Sequence, residues 1–439
     1  MFPRDRLVLF TRYPVPGAVK TRLVPALGRE GAARLQEELT GHAVLVGRAF
    51  CASAGTPWEV HFTGASVRRM RRWLGREIRF VPQTKGDLGR RMQCACEHGF
   101  QERAARVVVI GSDCPDLAPD VVAAAFAALE DRDLVLGPAR DGGYYLIGLR
   151  RSVPALFRGI AWGTGSVRQQ TLAAARRLGL TFHELRVMPD VDVLEDLAAC
   201  RAEWPRERSA TARKISVIIP ALNEEENLAA ALDSARSGAA ELIVVDGGSR
   251  DATREIARRA GARVIGSPRG RAVQMNAGAL AASGDILVFL HADTRLPRGY
   301  PEEVRQTLAK ERVAAGAFSL GIDGRGAGLR WIERAANWRS RRLALPYGDQ
   351  ALFTRASVFR RSGGFAALPI MEDFDWVRRL RRWGRIVTRS SQVQSSSRRW
   401  TTSGLLRTTL RHQLIVCGFG LGVPPEKLAA LRESRRPGE

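Results

Sequence analysis

Hydrophobic residues in the first half of the chain form short runs that alternate with longer amphipathic stretches. The runs predict strands at residues 7–10, 60–62, 78–81, 107–110 and 134–136. The stretches at 31–50 and 119–129 have helical periodicity. This alternation is typical of an α/β protein built on a mostly parallel sheet.

A second α/β unit begins near residue 215. Its predicted strands are 215–219, 242–245, 263–265 and 286–290, and its predicted helices are 225–235 and 251–260. The intervening run WPRERSATARK at 204–214 lacks apolar periodicity and predicts an exposed linker. The predicted boundaries are 1–205 for the first domain, 206–213 for the linker, 214–400 for the second domain and 401–439 for a basic amphipathic extension.

Both halves share a layout in which the first strand enters a proline-containing loop and a later strand enters an acidic loop. We therefore expect two tandem Rossmann-like domains, each a mostly parallel sheet flanked by helices. Ligands of such sheets bind outside the carboxyl ends of the strands, which is where these loops lie.

Charge narrows the classes of partner without selecting one. The chain of 439 residues has a formal net charge of +24, which suits nucleic acid, an anionic membrane surface or phosphate-bearing substrates. No helix-turn-helix, zinc-finger or aromatic-basic pattern accompanies the charge, so we do not expect nucleic-acid binding. The dominance of arginine over lysine fits a GC-rich genome equally well.

Compartment signals favour the cytoplasm. The six cysteines lack the paired spacings of a zinc site or a disulfide framework. The apolar run before Thr11 is too short for a signal peptide, and no run is long enough to span a bilayer.

Three polar loops in the second half follow predicted strands. They are PALNEEEN at 220–227, DGGSRDAT at 246–253 and HADT at 291–294. In this order they resemble family 2 glycosyltransferases, and the resemblance extends over residues 214–390. It implies a GT-A fold and a nucleotide-sugar donor, most often a uridine diphosphate sugar.

The resemblance also implies a donor site and a metal. Asp246 would accept a hydrogen bond from the base, and Asp293 would bind Mg²⁺ or Mn²⁺ at the diphosphate, because a departing diphosphate requires a hard cation and basic residues. The donor residues implied are Pro220, Ala221, Asn223, Glu224, Asp246, Gly247, Arg271, Asp349 and Gln350. His291 replaces the first aspartate of the usual Asp-x-Asp motif, and hydrogen bonding there is favoured over metal ligation.

A later segment, LPIMEDFDW at 368–376, resembles the Glu-Asp motif of the family. It implies that Asp373 is the catalytic base of an inverting displacement, with Glu372 positioning it or the acceptor. The alternative is an acidic helix N-terminus that stabilises the helix dipole. Asp349 and Gln350 are equally compatible with a polar turn.

Apolar stripes near the C-terminus complete the second half. Trp331 and Trp338 lie at helical spacing and are predicted to be core residues. Leu406, Leu410, Leu414, Cys417 and Leu421 form a second stripe, opposite Arg407 and Arg411. Such a stripe usually packs on its own domain. Peripheral contact with anionic lipid is the alternative. The segment 397–400 resembles a motif of processive enzymes but is out of register.

Five motifs of the first half occur in order: TRYPVPGAVKTRL at 11–23, GDLGRRM at 86–92, GSDCPDL at 111–117, ARDGGYYLIGL at 139–149 and PDVDVLEDL at 189–197. They resemble an uncharacterised bacterial domain related to nucleotidyltransferases. The resemblance implies a metal on Asp113 and on Asp190 or Asp192, and a nucleotide site at Gly17, Lys20, Arg22, Asp141 and Gly142. The altered phosphate-loop signature leaves a degenerate or regulatory domain open.

Together these features predict a bifunctional glycosyltransferase with a nucleotide-sugar donor and an unknown small-molecule or lipid acceptor. Chains similar to the second half are often described as arsenosugar-associated or selenium-associated transferases. The competing hypothesis is a non-catalytic nucleotide-sugar sensor.

Overall fold

The computed structural model describes residues 4–196, 213–239, 241–397 and 405–433. The chain divides into two compact units, one made of Met1–Arg206 with Arg360–Gly364 and the other of Glu207–Phe359 with Phe365–Glu439. The predicted linker falls largely outside the described residues.

The first unit is an α/β sheet structure. Its strands are β1 (Arg4–Arg12), β2 (Trp58–Thr63), β3 (Arg79–Pro82), β4 (Ala104–Ile110), β5 (Leu134–Pro138), β6 (Tyr144–Leu149) and β7 (Phe182–Glu184). Its helices are α1 (Val24–Ala54), α2 (Val67–Leu74), α3 (Leu88–Gln101), α4 (Pro119–Ala128) and α5 (Val167–Arg177).

The sheet order in this unit is β3-β2-β1-β4-β6-β5-β7. The first four strands in that order pair in parallel, whereas β6 is antiparallel to both of its neighbours. Leu7, Val8 and Leu9 of the central strand are fully buried, because helices cover both faces of a parallel sheet.

The second unit has the same kind of architecture. Its strands are β8 (Ile215–Ala221), β9 (Glu241–Asp246), β10 (Arg263–Gly266), β11 (Ile286–Phe289), β12 (Thr294–Arg295), β13 (Val313–Asp323), β14 (Phe353–Arg355) and β15 (Arg385–Ser396). Its helices are α6 (Leu228–Arg236), α7 (Thr253–Arg259), α8 (Arg271–Ala281), α9 (Tyr300–Ala309), α10 (Ala327–Arg342), α11 (Ala356–Arg361), α12 (Glu372–Leu380), α13 (Leu405–Gly420) and α14 (Pro425–Glu433).

The order β10-β9-β8-β11-β14-β13-β15-β12 repeats the topology of the first unit, with the short β12 added at the edge. The strands β10, β9, β8 and β11 pair in parallel, and β14 is antiparallel to β11 and β13. The prediction of two tandem, mostly parallel sheets flanked by helices is therefore confirmed.

The parallel half of the second sheet determines where a ligand can bind. Because β8, β9 and β11 run in the same direction, their carboxyl ends meet at one edge of the sheet. Asp246 ends β9, and Asp293 follows β11 by four residues. Both predicted donor-site aspartates therefore lie at this edge.

The predicted burial of two apolar stripes is wrong. Trp331 and Trp338 are 62% and 60% exposed, because α10 buries the face that carries Leu329, Glu333, Ala336 and Ser340. In the second stripe, Leu410, Leu414 and Leu421 are 64%, 67% and 86% exposed, and Cys417 is exposed. The side chains of Leu406 and Arg407, and residues 398–400 of the predicted processive-type segment, lie outside the described residues.

The hydropathy and length of the described helices were compared with those of membrane-spanning helices. None of them is both long enough and apolar enough to cross a bilayer.

An aromatic cluster in the second unit gives a stability prediction. The Trp376 ring is fully buried and lies 4.6 to 5.8 Å, centroid to centroid, from the rings of Phe365, Phe359 and Phe289. We expect Trp376→Ala to lower the free energy of unfolding by about 3 to 5 kcal/mol, because it leaves a large cavity. Trp338→Ala is the matched control and should cost less than about 0.5 kcal/mol. Urea titration followed by circular dichroism measures both, and equal losses would contradict the burial described.

Candidate functional site

Two loops at the carboxyl edge of the second sheet are tied together by side-chain hydrogen bonds. The backbone N–H of Asn223 donates to Ser249 Oγ at 2.9 Å, and the N–H of Arg250 donates to Asn223 Oδ1 at 2.9 Å. The N–H of Glu224 donates to Thr253 Oγ1 at 2.8 Å. Asn223 has a φ of 53°, a left-handed conformation that these bonds hold in place. The predicted donor loop, which includes Pro220, Asn223 and Glu224, is thus held in place by the second loop. We call it the donor shelf, and Asn223 is exposed on it.

Asp246 stabilises the second of these loops, which follows β9. Its buried carboxylate accepts hydrogen bonds from the N–H groups of Gly248 and Ser249 and from Arg254 Nε. Burial opposes ionisation, but the bonds from Ser249 and Arg254 outweigh it and hold the pKa of Asp246 below its ordinary value. The expected contact with a donor base is not supported by this geometry, because the carboxylate is engaged by the protein and is fully buried.

Gln274 is a site residue that the sequence reasoning missed. Its Nε2 donates to the carbonyl oxygens of Ala221 and Val245 at 2.9 and 2.8 Å, and the side chain is buried. Ala221 also accepts from the N–H of Gly247 at 2.9 Å. Ala221 is therefore part of the scaffold, and the close approach of Gln274 explains the glycine at 247. The position of Gln274 in the sequence does not distinguish it, since the same helix carries a second buried polar residue, Asn276.

Arg271 begins α8 and is surrounded by acidic groups. Its Nη1 lies 3.4 Å from Glu372 Oε1, and the Glu372 side chain is only 5% exposed. Burial lowers the pKa of Arg271, but the negative charges of Glu372, Asp373, Asp293 and Asp349 outweigh it and the pKa is raised. The structure thus brings the predicted metal ligand and the predicted base into the field of one guanidinium.

Asp373 lies at the start of α12, opposite a turn at 348–350. Its Oδ2 accepts from the N–H of Gly348 at 2.6 Å, and its Oδ1 accepts from the N–H of Phe374 at 2.7 Å. A Cβ at position 348 would lie 3.2 Å from Asp373 Oδ2 and 2.9 Å from His291 Nε2. Gly348 therefore keeps a narrow space between His291 and Asp373 that any larger residue would fill.

Gln350 and Asp349, both predicted to contact the donor, differ from each other in burial. Gln350 is fully buried, and its amide bonds to Phe318 O, Ser340 Oγ and the N–H of Tyr347. Its expected contact with the donor is therefore replaced by a structural role in the turn. Asp349 is half-buried and acts on Arg271 through its charge.

The donor set suits a hard divalent cation. Asp293 is half-buried and offers carboxylate oxygens, one of which accepts from Thr294 Oγ1 at 3.2 Å. Mg²⁺ commonly binds one or two carboxylates and completes its shell with substrate phosphates and water. A single carboxylate beside Arg271 is compatible with that arrangement.

The first unit has its own cleft of about 430 Å³ at the carboxyl ends of β1 and β4. Lys20, which has a left-handed φ of 45° and a side chain only 4% exposed, lies on its wall. Its Nζ is 2.8 Å from Asp113 Oδ1 and 2.8 Å from Asp192 Oδ1. Burial lowers the pKa of Lys20, but the two carboxylates outweigh it and the pKa is raised. The two predicted metal ligands therefore share one ammonium.

Among the described residues, one group of three carboxylates converges at ligand spacing. It consists of Asp141, Asp190 and Asp192, whose nearest oxygens lie within 4.8 Å of one another. Burial, followed by the charges of Asp141, Asp192 and Asp196, raises the pKa of Asp190 to about 7. Both aspartates that the sequence left as alternatives thus belong to this group.

Of the remaining residues predicted for the first unit, Arg22 lines the cleft and the two glycines lie in loops. Arg22 lines the cleft, and so do Arg12 and Arg91, which the sequence reasoning did not select. Gly17 has a φ of 80° in the loop before Lys20, and Gly142 has a φ of 87° beside Asp141. Both glycines lie outside the lining of the cleft, and their contacts with a nucleotide stay predictions.

Comparison with known proteins places this geometry in a family. Residues 216–369 match the model of glycosyl transferase family 2, and residues 48–164 match a family described as an uncharacterized protein conserved in bacteria. An uncharacterized glycosyltransferase of Mycobacterium tuberculosis H37Rv is 34% identical over 166 residues, which cover 34% of this chain and 74% of the relative. The chain therefore belongs to glycosyltransferase family 2.

Other relatives match shorter parts. Glucosyl-3-phosphoglycerate synthase of Mycobacterium tuberculosis is 37% identical over 100 residues, which cover 20% of this chain and 31% of the relative. A crystal structure of a candidate nucleotide-diphospho-sugar transferase from Desulfovibrio desulfuricans G20 is 33% identical and covers 47% of this chain and 90% of that chain, with a TM-score of 0.42.

The raised pKa of Asp190 generates a pH prediction. The folded group ionises near pH 7, whereas its ordinary value is 3.8, so its burial destabilises the protein progressively as pH rises from about 4 to 7. Asp190→Asn cannot ionise, and we expect it to stabilise the first unit at pH 8 by up to about 2 kcal/mol, a value reduced for solvent screening. At pH 4 the gain should be near zero.

Thermal unfolding in chelator at both pH values measures this difference. Asp131→Asn, which removes a carboxylate that is 71% exposed in the same unit, is the matched control. A gain for Asp190→Asn that does not grow with pH would contradict the stated environment.

Proposed function

We propose that the second unit transfers a sugar from a nucleotide-diphosphate donor, UDP-linked, to an acceptor hydroxyl with inversion. Family membership supplies the donor class. The observation that carries the proposal is the ion pair between Arg271 and the buried Glu372, which lies next to Asp373 at the start of α12. The negative charges of Asp373 and Asp293 also act on this guanidinium. A leaving diphosphate and an attacking hydroxyl need this combination of positive charge and carboxylates within one site.

Asp293 would hold a divalent cation, Mg²⁺ or Mn²⁺, together with the donor diphosphate. When bound, such an ion neutralises charge that develops on the leaving group. The shelf of Pro220, Asn223 and Glu224, with Gly247 beside it, would carry the nucleoside. The interlocked loops favour this role because they need no rearrangement when the donor binds.

Arg271 would meet the diphosphate from the helix side. Its guanidinium is oriented by Glu372, whose side chain is buried. We therefore assign Glu372 to positioning of Arg271, and not to contact with the acceptor.

Asp373 would take the acceptor proton. Its two hydrogen bonds, from Gly348 and Phe374, fix the carboxylate in one orientation while leaving it half-buried and accessible. An inverting displacement needs a base on the face opposite the leaving group, and the half-buried Asp373 would supply that base.

For the first unit we propose nucleotide binding at the cleft of Lys20, with Arg12, Arg22 and Arg91 facing phosphates. The group of Asp141, Asp190 and Asp192 would hold a cation, and Asp113 remains a candidate ligand if Lys20 moves to a phosphate. This supports the nucleotidyltransferase-like assignment. The sensor alternative for the whole chain is not favoured, because residues 216–369 match a family of transferases.

No residue of the second site identifies an arsenosugar or selenium acceptor, and we do not extend the proposal to that subtype.

The test is metal-dependent turnover of a UDP-sugar by the full chain. We expect Asp293→Ala to lower donor hydrolysis with Mn²⁺ by at least about 100-fold, because it removes the metal ligand. Asp373→Asn should lower transfer by about 100-fold or more while donor affinity stays within a few-fold, because it removes only the base. Asp233→Asn, on an exposed part of α6, is the control and should change neither.

Tight donor binding by the wild type without turnover on any acceptor, or loss of turnover equal in all three variants, would argue against this function.

The space at Gly348 yields a separate prediction. Gly348→Ala should lower transfer by about tenfold or more, because the added methyl displaces His291 or Asp373, while donor binding changes little. Gly266→Ala is the control, since a Cβ there meets no atom within 4 Å. Steady-state kinetics with separate donor and acceptor titrations distinguish the two effects. An unchanged rate in Gly348→Ala would contradict a role for the positions of His291 and Asp373 in transfer.

A further inference from the structure

One face of α10 combines exposed aromatic rings with positive charge. Trp331 and Trp338 lie seven residues apart on the same side and are 62% and 60% exposed. Leu343, directly after the helix, is 47% exposed. Ala335 between the two tryptophans is exposed as well. Large apolar side chains this exposed and this closely spaced indicate a surface that binds a partner.

The charges on this face have one sign. Arg334 and Arg342 are exposed beside the tryptophans. The only acidic residue of the helix, Glu333, is turned inward, where it pairs with Arg330 at 2.7 Å and is 6% exposed. The outer face is therefore apolar and cationic, without a compensating carboxylate from the helix itself.

A second exposed apolar face lies on α13. Ile415 and Phe419 of this helix belong to an apolar cluster that also contains Leu345 and Tyr347, which closely follow α10. The other side of α13 presents Leu410 and Leu414, which are 64% and 67% exposed. The two helices thus flank the same segment, and each exposes its apolar side.

We propose that these faces of α10 and α13 seat the second unit on an anionic lipid surface. Tryptophan is favoured at the level of lipid headgroups, arginine pairs with their phosphates, and leucine enters the acyl region. Exposed leucines give no advantage in binding single-stranded nucleic acid, which uses aromatic stacking and basic groups. A second copy of this chain is disfavoured, because a two-fold contact would bring the arginines of both copies together.

The lipid-binding surface suggests a class of acceptor for the glycosyl transfer. This suggestion rests on the proposed function. Arg339 of α10 stacks 3.5 Å above the Tyr347 ring, and Tyr347 precedes Gly348, whose N–H binds the proposed base Asp373. A membrane bound by α10 would therefore lie close to the acceptor side of the site. The acceptor class that fits is a lipid whose hydroxyl or phosphate is at the headgroup level.

The experiment is co-sedimentation of the full chain with vesicles of phosphatidylcholine alone and of phosphatidylcholine with about 30% phosphatidylglycerol. We expect binding to the anionic vesicles only, weakened in about 0.5 M salt. Trp331→Ala with Trp338→Ala, and separately Arg334→Glu with Arg342→Glu, should each lower binding by about tenfold or more.

Matched variants separate this surface from the general positive charge of the chain. Arg68→Glu with Arg72→Glu makes the same change of charge on α2 of the first unit, where both residues are exposed, and should leave most of the binding. Leu178→Ala, at an exposed leucine of the first unit, is the control for apolar area. Circular dichroism of every variant excludes unfolding as the cause.

Three outcomes would overturn the inference: no binding to anionic vesicles, equal loss in the α2 control, or binding to single-stranded RNA that is lost with the same tryptophans. Hydrolysis of a UDP-sugar in vesicle-free solution reports on the proposed function alone. Vesicle binding without hydrolysis would therefore contradict the proposed function and support the lipid-binding surface. Hydrolysis without vesicle binding would support the function and contradict the surface.

Discussion

The second site depends on the charge balance around Arg271. One guanidinium interacts with four carboxylates that come from three separate parts of the chain. Without Arg271 the negative charges of Glu372, Asp373, Asp293 and Asp349 would lose the positive charge on which all four act. The ion pair with the buried Glu372 fixes the guanidinium and so maintains this balance.

The sheet supplies the convergence that the charges require. Parallel pairing of β8, β9 and β11 brings loops from residues 221, 246 and 290 onward to one edge. The first unit uses the same strand order to bring Lys20, Asp113 and Asp192 together. In the first site, however, a lysine lies between the carboxylates that were expected to share a metal. The two units therefore have a common topology but different charge arrangements.

Much of this fold could be predicted from local patterns, and the failures have physical causes. Central strands such as 107–110 are buried on both faces, so they read as continuous apolar runs. The long strand β15 contains serines, glutamines and arginines and gives no such signal. On α10 the sequence predicted buried tryptophans, but the helix packs through smaller or polar side chains, and only the tertiary contact selects that face.

Some candidate residues could be selected from the sequence because their type and position are unusual. For others, only the hydrogen bonds in the structure show what the side chain does. A carboxylate after an apolar strand selected Asp293 as a candidate, and the resemblance to the family's Glu-Asp motif selected Asp373. Gln350 and Asp246 have the right types and positions, but their hydrogen bonds go to the protein itself, which no spacing reveals. Gln274 escaped notice because a buried glutamine on a helix has the same appearance in sequence as an exposed one.

The most direct measurement is a crystal structure of the protein with Mn²⁺ and a UDP-sugar, with manganese located by its anomalous scattering. The account predicts manganese at about 2.2 Å from a carboxylate oxygen of Asp293, as expected for a hard divalent ion. The diphosphate should contact Arg271, and the sugar should face Asp373. Manganese bound elsewhere in the second unit, or a donor that contacts neither Asp293 nor Arg271, would contradict it.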